Sequence, residues 1–207
     1  MTARLYVISA PSGAGKTSLV KALRERLPAL RISTSHTTRR PRPTEQDGRE
    51  YFFVDNTEFN ALVDDGAFLE HARVFDNQYG TSRDQLEDKL AAGHDVVLEI
   101  DWQGARQVRA SLPDCRSIFI LPPSREALRA RLTGRQTDSP EVIERRLADA
   151  VEDMSHYREF DYVVVNDNFD KAVEDLVQIV AGNGRTHAAN RPELSPVVAN
   201  LLVFPTP

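Results

Sequence analysis

The chain has one cysteine, Cys115, two methionines and one tryptophan in 207 residues. A single cysteine excludes an intrachain disulfide framework and a cysteine-based zinc site. Cys115 lies in an apolar run, where a buried strand position is expected for it. Apolar runs are short throughout, and none approaches the roughly 20 residues needed to cross a bilayer. The first residues lack a signal-peptide pattern, and no internal repeat is visible. The expectation is a cytoplasmic, reducing environment with no membrane engagement. An excess of positive charge is also missing: the formal net charge is −5, which speaks against a nucleic-acid partner. Arginines nonetheless gather locally, at Arg39, Arg40 and Arg42 and again from Arg125 to Arg146. Local arginines on an acidic chain suit a small phosphorylated substrate better than a polymer.

What is present begins with Ala10-Pro11-Ser12-Gly13-Ala14-Gly15-Lys16-Thr17. It follows a short apolar strand, Leu5 to Ser9, and opens a helical pattern from Ser18 to Leu27. Strand, glycine-containing loop, Lys-Thr and helix together form a phosphate-binding P-loop. Small residues let successive backbone N–H groups turn inward toward phosphate oxygens. The helix N-terminus adds further donors and a positive dipole. Residues 10–18 are therefore the candidate ATP-binding loop. Lys16 would reach the β- and γ-phosphates, and the Thr17 hydroxyl would ligate Mg²⁺. Ala10 stands where the strict motif has glycine, which is tolerable if its φ is negative.

Further strand-like runs recur at Asp95–Ile100, Ser117–Leu121 and Tyr162–Val165, with helical patterns between them. Near-continuous apolar strands alternating with helices indicate an α/β fold, a parallel sheet flanked by helices. Ser82-Arg83-Asp84-Gln85 is a capping box. Ser139-Pro140-Glu141 gives an N-cap, a first-turn proline and a first-turn acid. A last helix is expected from Phe169 to Val180. Residues 33–82 interrupt the alternation with short aromatic and Thr/Ser-rich segments, read as mixed or antiparallel strands around a helix at Thr57–Val63. The expected organisation is a P-loop core (1–32, 83–124 and 160–182), an insert at 33–82, a helical lid with its following helix (125–159), and a tail (183–207). Four prolines in that tail are expected to break regular structure.

Three constellations narrow the chemistry. Arg39 and Arg42 carry planar forks suited to bidentate phosphate binding. Glu70 and Asp101 are carboxylates, and ionised carboxylates only accept hydrogen bonds. Guanine offers two adjacent donors, N1–H and the 2-amino group, whereas adenine presents an unprotonated N1. Ser35 and Thr81 could donate to the guanine O6. Asp101 could alternatively, or additionally, place Mg²⁺ through water. Finally, Arg131 and Arg135 share a helix face, and Arg146 lies two turns into the next helix. These arginines could close over a triphosphate.

At this point the chain resembles the guanylate kinase family, over roughly residues 4–182. The motifs carrying the resemblance are residues 11–16 and 35–42, Gly48-Arg49-Glu50-Tyr51, Phe68-Leu69-Glu70, Tyr79-Gly80-Thr81-Ser82, Ile100-Asp101-Trp102-Gln103-Gly104 and Val165-Asn166-Asp167. The resemblance implies ATP-dependent phosphorylation of GMP, and of dGMP, with Mg²⁺. It places Arg39, Arg42, Tyr51 and Tyr79 on the GMP phosphate. Ser35, Glu70, Thr81 and Asp101 fall on the base, and Asn166 lies near the adenine. Lys16, Arg39, Arg135 and Arg146 are the implied catalytic groups, with Arg131 on ATP. Mg²⁺ would sit on Thr17, with Asp101 or Glu99 acting through water. Departures from the family pattern are Gln78, Glu99 and Gln136, none of which removes a group the chemistry needs.

Other classes were open on sequence alone: a protein-binding module of the same fold, a sugar-phosphate kinase, or a GTPase. The module would be expected to lose P-loop or lid groups, which this chain retains. A sugar phosphate would leave Glu70 and Asp101 with no guanine edge to read. No Asn-Lys-x-Asp-like guanine reader of the GTPase kind is present. His36 and His71 are read as packing or solvated residues, and Trp102 as packing. A homo-oligomer is compatible with the sequence.

Overall fold

The computed structural model describes residues 3–134 and 139–202. The chain falls into two compact units, Met1–Val7 with Pro28–Arg116, and Ile8–Leu27 with Ser117–Pro207. Strand β1 (Leu5–Ser9) contributes residues to both and is followed by α1 (Lys16–Arg26). In the first unit come β2 (Arg31–Ile32), β3 (His36–Thr37), β4 (Phe52–Phe53), α2 (Asn56–Asp64), β5 (Phe68–Val74), β6 (Asn77–Ser82), α3 (Arg83–Ala91), β7 (Val96–Glu99) and α4 (Trp102–Ser111). The second holds β8 (Arg116–Leu121), α5 (Arg125–Thr133), α6 (Pro140–Ser155), β9 (Tyr162–Val165), α7 (Phe169–Val180) and α8 (Ser195–Leu202).

β1 is the middle strand of a five-stranded sheet of order β2-β7-β1-β8-β9. The pairs β2–β7 and β8–β9 are parallel. Val7, Ile8, Val96, Val97, Ile118, Phe119, Val163 and Val164 have no exposed surface. Burial on both faces explains why these strands read as continuous apolar runs. Each such side chain is worth about 1.5–3 kcal/mol relative to exposure. In the second unit α7 packs on α1, and its Ala172, Val173, Leu176 and Ile179 face inward at helical spacing.

The helix starts follow their sequence signals. Asp55, Ser82, Asp101, Ser124, Ser139 and Asn168 each accept a hydrogen bond from the backbone N–H three residues on. Helix α1 differs: its N-cap is Gly15, with φ +97°, and no side chain caps it.

The insert forms a second sheet of order β4-β3-β6-β5. β6 is antiparallel to β3 and β5, as expected, but β4 runs parallel to β3, pairing His36 with Phe52. The long connection between β3 and β4 allows this crossover. A register shift between Phe68 and Glu70 sets Glu70 opposite Thr81.

Two further expectations are corrected. Cys115 is buried, but in the turn before β8 rather than within a strand. The tail as far as Leu202 is not irregular: it forms 3₁₀ turns at Gly184–His187 and Pro192–Leu194 and then α8, while Pro205 and Pro207 lie outside the described residues. Pro192 and Pro196 stand at the starts of helical turns, where a missing N–H costs nothing. Leu194, Val198 and Leu201 recur at helical spacing and are buried, and α8 packs against α6.

Candidate active site

The phosphate loop lies in the second unit. The loop folds back on itself through Ala14 N donating to Pro11 O at 3.2 Å. Gly13 and Gly15 both take left-handed backbone, φ +88° and +97°. A Cβ on Gly13 would stand 2.9 Å from Leu128 Cδ1, and one on Gly15 would stand 2.5 Å from Asn166 Nδ2. Ala10 is absent from the positive-φ positions, so its methyl group fits where the strict motif has glycine. The uncapped first turn of α1 carries half-buried Lys16 and exposed Thr17.

Asn166 and Arg131 support this loop from behind. Asn166, 4% exposed, donates Nδ2 to the Ala14 carbonyl at 2.8 Å. Arg131 donates Nη1 to the same carbonyl at 3.3 Å and Nη2 to Asn166 O at 2.8 Å. Both residues are thus tied to the backbone of the loop. Arg146 is half-buried on α6. Helices α5 and α6 are linked by Arg129 and Glu144, with Nη2 to Oε2 at 3.0 Å. Arg135 and Gln136 lie outside the described residues.

The residues expected to meet the acceptor lie in the first unit and fall into two parts. In one, Arg39 Nη2 donates to Glu45 Oε1 at 2.8 Å, and the Arg42 amide donates to Glu45 Oε2 at 2.8 Å. The Arg39 guanidinium lies 5.3 Å from the Tyr51 ring centre, and the Tyr51 and Tyr79 rings are 5.9 Å apart. Burial disfavours charge on both Arg39 and Glu45, but their hydrogen bond and mutual attraction win. The Arg39 guanidinium is held above its usual range and the Glu45 carboxyl below. Burial, reinforced by the Glu99 carboxylate, pushes the Tyr51 phenol up to about 12. Tyr51 therefore keeps its O–H as a donor at all ordinary pH. Glu45 belongs to no motif of its own, and its spacing three residues after Arg42 is the one signal the sequence offers for it.

In the other part, Glu70 is 2% exposed and Thr81 fully buried. The Thr81 hydroxyl donates to Glu70 Oε1 at 2.6 Å, a short charge-assisted bond that offsets the burial of a carboxylate. Asp101 caps α4, accepting from the Gly104 amide at 2.9 Å and from Gln103 Nε2 at 3.2 Å. A Cβ built on Gly104 would meet both Glu70 Oε2 and Asp101 Oδ1, so the two carboxylates converge on one turn of helix. Ser35 is buried. His36 stacks on Phe52 at 4.8 Å, and burial lowers its pKa, consistent with a packing residue. The Trp102 ring carries the Arg106 guanidinium at 4.8 Å. Gln78 donates to Asn56 and Asn60, joining β6 to α2.

Among the described residues no group of three or more His, Cys, Asp or Glu could hold a metal by itself. The residues expected to serve Mg²⁺, the Thr17 hydroxyl in the second unit and the Glu99 and Asp101 carboxylates in the first, each offer the hard oxygen chemistry this cation prefers.

A buried strand, a loop with two left-handed glycines and an uncapped helix bearing Lys-Thr define a P-loop nucleotide-binding protein. Comparison with known proteins makes this specific. The guanylate kinase family model matches residues 2–183. Among similar proteins, a guanylate kinase of Alkalilimnicola ehrlichii is 57% identical over 202 residues, covering 98% of this chain and 100% of that protein. One of Thiobacillus denitrificans is 61% identical over 175 residues, 84% of each chain. A crystal structure of guanylate kinase from Anaplasma phagocytophilum aligns with TM-score 0.72 at 31% identity, covering 98% of this chain and 97% of that one. The chain belongs to the guanylate kinase family. It is an enzyme that phosphorylates GMP to GDP with ATP.

Proposed function

We propose that the two halves described above divide the substrates between them: the phosphate loop takes MgATP and the insert takes GMP. Lys16 and residues 10–18 hold the triphosphate. Arg131, Arg135 and Arg146, within the proposed lid segment 125–159, neutralise its charge. Arg39, Arg42, Tyr51 and Tyr79 hold the acceptor phosphate. Glu70 and Asp101 accept from guanine N1–H and the 2-amino group, with Ser35 and Thr81 near O6. The observation that carries this reading is the buried Glu70–Thr81 pair beside the Asp101 cap. Thr81 fixes that carboxylate in place next to a second one, so two acceptors lie together for one base edge. Asn166 supports the ATP loop through the Ala14 carbonyl.

Phosphoryl transfer demands in-line positioning and charge neutralisation rather than covalent work by the protein. The acceptor phosphate oxygen is already ionised, so no general base is required. Tyr51 donates a hydrogen bond to that phosphate without competing for its proton. Thr17, with Glu99 or Asp101 through water, would hold Mg²⁺, and that ion would supply neutralisation of phosphate charge. Asp101 has both oxygens engaged within α4.

None of the assigned residues is given to the ribose, so dGMP is proposed as a second acceptor. Among the described residues no helix is long and apolar enough to cross a membrane. A cytoplasmic enzyme without a nucleic-acid partner is proposed on that and on the acidic charge. The test is ADP release from MgATP with GMP, dGMP, AMP, UMP, CMP and a ribose bisphosphate. Turnover with GMP and dGMP alone is expected. Comparable turnover with AMP or the sugar phosphate would contradict the assignment of Glu70 and Asp101.

A further inference from the structure

Gly104 stands in the first turn of α4, three residues after its cap Asp101. Glycine is a poor helix former because it loses the most backbone freedom on folding. Its backbone does not demand glycine, since Gly104 is absent from the positive-φ positions. What the position lacks is room. A Cβ there would lie 2.3 Å from Glu70 Oε2, 3.0 Å from Glu70 Cδ and 3.3 Å from Asp101 Oδ1. The first distance is shorter than any real Cβ contact. Neither neighbour is the loose end of a mobile side chain. Glu70 is 2% exposed and pinned by Thr81 at 2.6 Å. Asp101 Oδ1 accepts from the Gly104 amide itself at 2.9 Å.

We propose that Gly104 is a specificity-determining residue: its missing side chain lets the Glu70 carboxylate rest against the first turn of α4 beside Asp101. The two carboxylates then present adjacent acceptors, as two adjacent donors on one base edge require. The proposal rests on the reading of Glu70 as the guanine reader. If Gly104 served packing alone, alanine would cost stability through this clash and leave the preference for GMP as in wild type. The role in selectivity predicts a lost preference: alanine displaces Glu70 and the base loses its acceptor.

The experiment compares Gly104→Ala, Glu70→Gln, the combination of these two, and Gly104→Ala with Glu70→Asp, by steady-state kinetics and thermal unfolding. GMP, inosine monophosphate (which lacks the 2-amino group) and ATP are each varied. Gly104→Ala is expected to raise KM for GMP about tenfold or more, the effect of losing a hydrogen bond to a charged group. The KM for ATP stays near wild type, and preference for GMP over inosine monophosphate narrows. The loss is not additive with Glu70→Gln. Glu70→Asp withdraws the carboxylate by one methylene and restores part of the GMP affinity lost in Gly104→Ala. If Gly104→Ala alone does not fold, recovery of a folded, GMP-preferring enzyme on adding Glu70→Asp supports the proposal, and failure to recover overturns it. Wild-type GMP kinetics in Gly104→Ala, alongside lost selectivity in Glu70→Gln, overturns the role of Gly104 alone. Unchanged selectivity in Glu70→Gln overturns the guanine-reading assignment and this proposal with it.

Discussion

The Asn166 amide donates to the Ala14 carbonyl at 2.8 Å inside the protein, and the same carbonyl accepts from Arg131 at 3.3 Å. The Ala14–Gly15 peptide is therefore held by its oxygen, on the segment whose N–H groups are assigned to phosphate. Asn166→Ala removes one of these two donors. It is expected to raise KM for MgATP about tenfold, the worth of one buried hydrogen bond, with KM for GMP changed less than twofold. Gly15→Ala should act on the same pair more severely, because its Cβ would stand 2.5 Å from Asn166 Nδ2 at a φ of +97°. Initial-rate kinetics with each substrate varied separates the two KM values.

Glu45 bridges Arg39 and the Arg42 amide, so it positions the arginines assigned to the acceptor phosphate. Glu45→Gln should cost about 1–3 kcal/mol of stability, the value of a charge-assisted hydrogen bond in a half-buried setting. It should also raise KM for GMP and leave KM for ATP unchanged. The folded-state carboxyl is held below the ordinary carboxylate value. Its stability contribution is complete above that value and is lost as pH falls through and below the carboxylate range. Acid titration of unfolding in wild type and Glu45→Gln should converge at low pH. A constant gap down to the acid limit contradicts the linkage.

Tyr51 gives the opposite sign. Its phenol ionises near 12 when folded, against 10.0 when unperturbed. The unfolded chain loses that proton first, so stability falls between about pH 10 and 12 and is unaffected by this group below 10. Tyr51→Phe keeps the ring against Arg39 and Tyr79 but deletes the O–H. The variant should weaken GMP about tenfold and flatten the alkaline fall in unfolding free energy. An alkaline profile identical to wild type would show that Tyr51 is not the group responsible.

Helix α8 packs on α6 and carries none of the assigned residues. Leu201 is fully buried, and Leu201→Ala should cost about 2–5 kcal/mol through lost burial and the cavity left behind. At a temperature where the variant is folded, its kcat should match wild type. Denaturant unfolding and turnover on the same preparation check both statements.

Much of the fold was legible because periodicity and capping agree locally. Leu5–Ser9, Tyr162–Val165 and Phe169–Val180 begin and end where their patterns do. Ser82, Ser139 and Asn168 mark helix starts through short-range hydrogen bonds that sequence spacing encodes. The parallel pairing of β4 with β3 was not legible, since strands of two residues carry no register of their own and the direction is set by a loop. The tail is poorly legible because prolines suggest breaks in regular structure, whereas Pro192 and Pro196 initiate helical turns. At the site, residue types with chemistry of their own, such as Lys16, Arg39 and Glu70, stood out. Glu45 and Gly104 did not, because their roles lie in contacts with residues distant in sequence or newly brought close. The support that Asn166 gives Ala14 spans 152 positions, and no local pattern encodes it.

The most direct single measurement is the ratio of kcat/KM for GMP to that for AMP, in wild type and in Glu70→Gln. Glutamine keeps the shape of the side chain but replaces one acceptor oxygen by an amide that donates. The predicted result is a GMP preference that falls by about tenfold or more, the cost of one mismatched hydrogen bond to a charged partner, with the KM for ATP unchanged. An unaltered GMP-to-AMP ratio in a folded variant would contradict the assignment of Glu70 to the guanine edge.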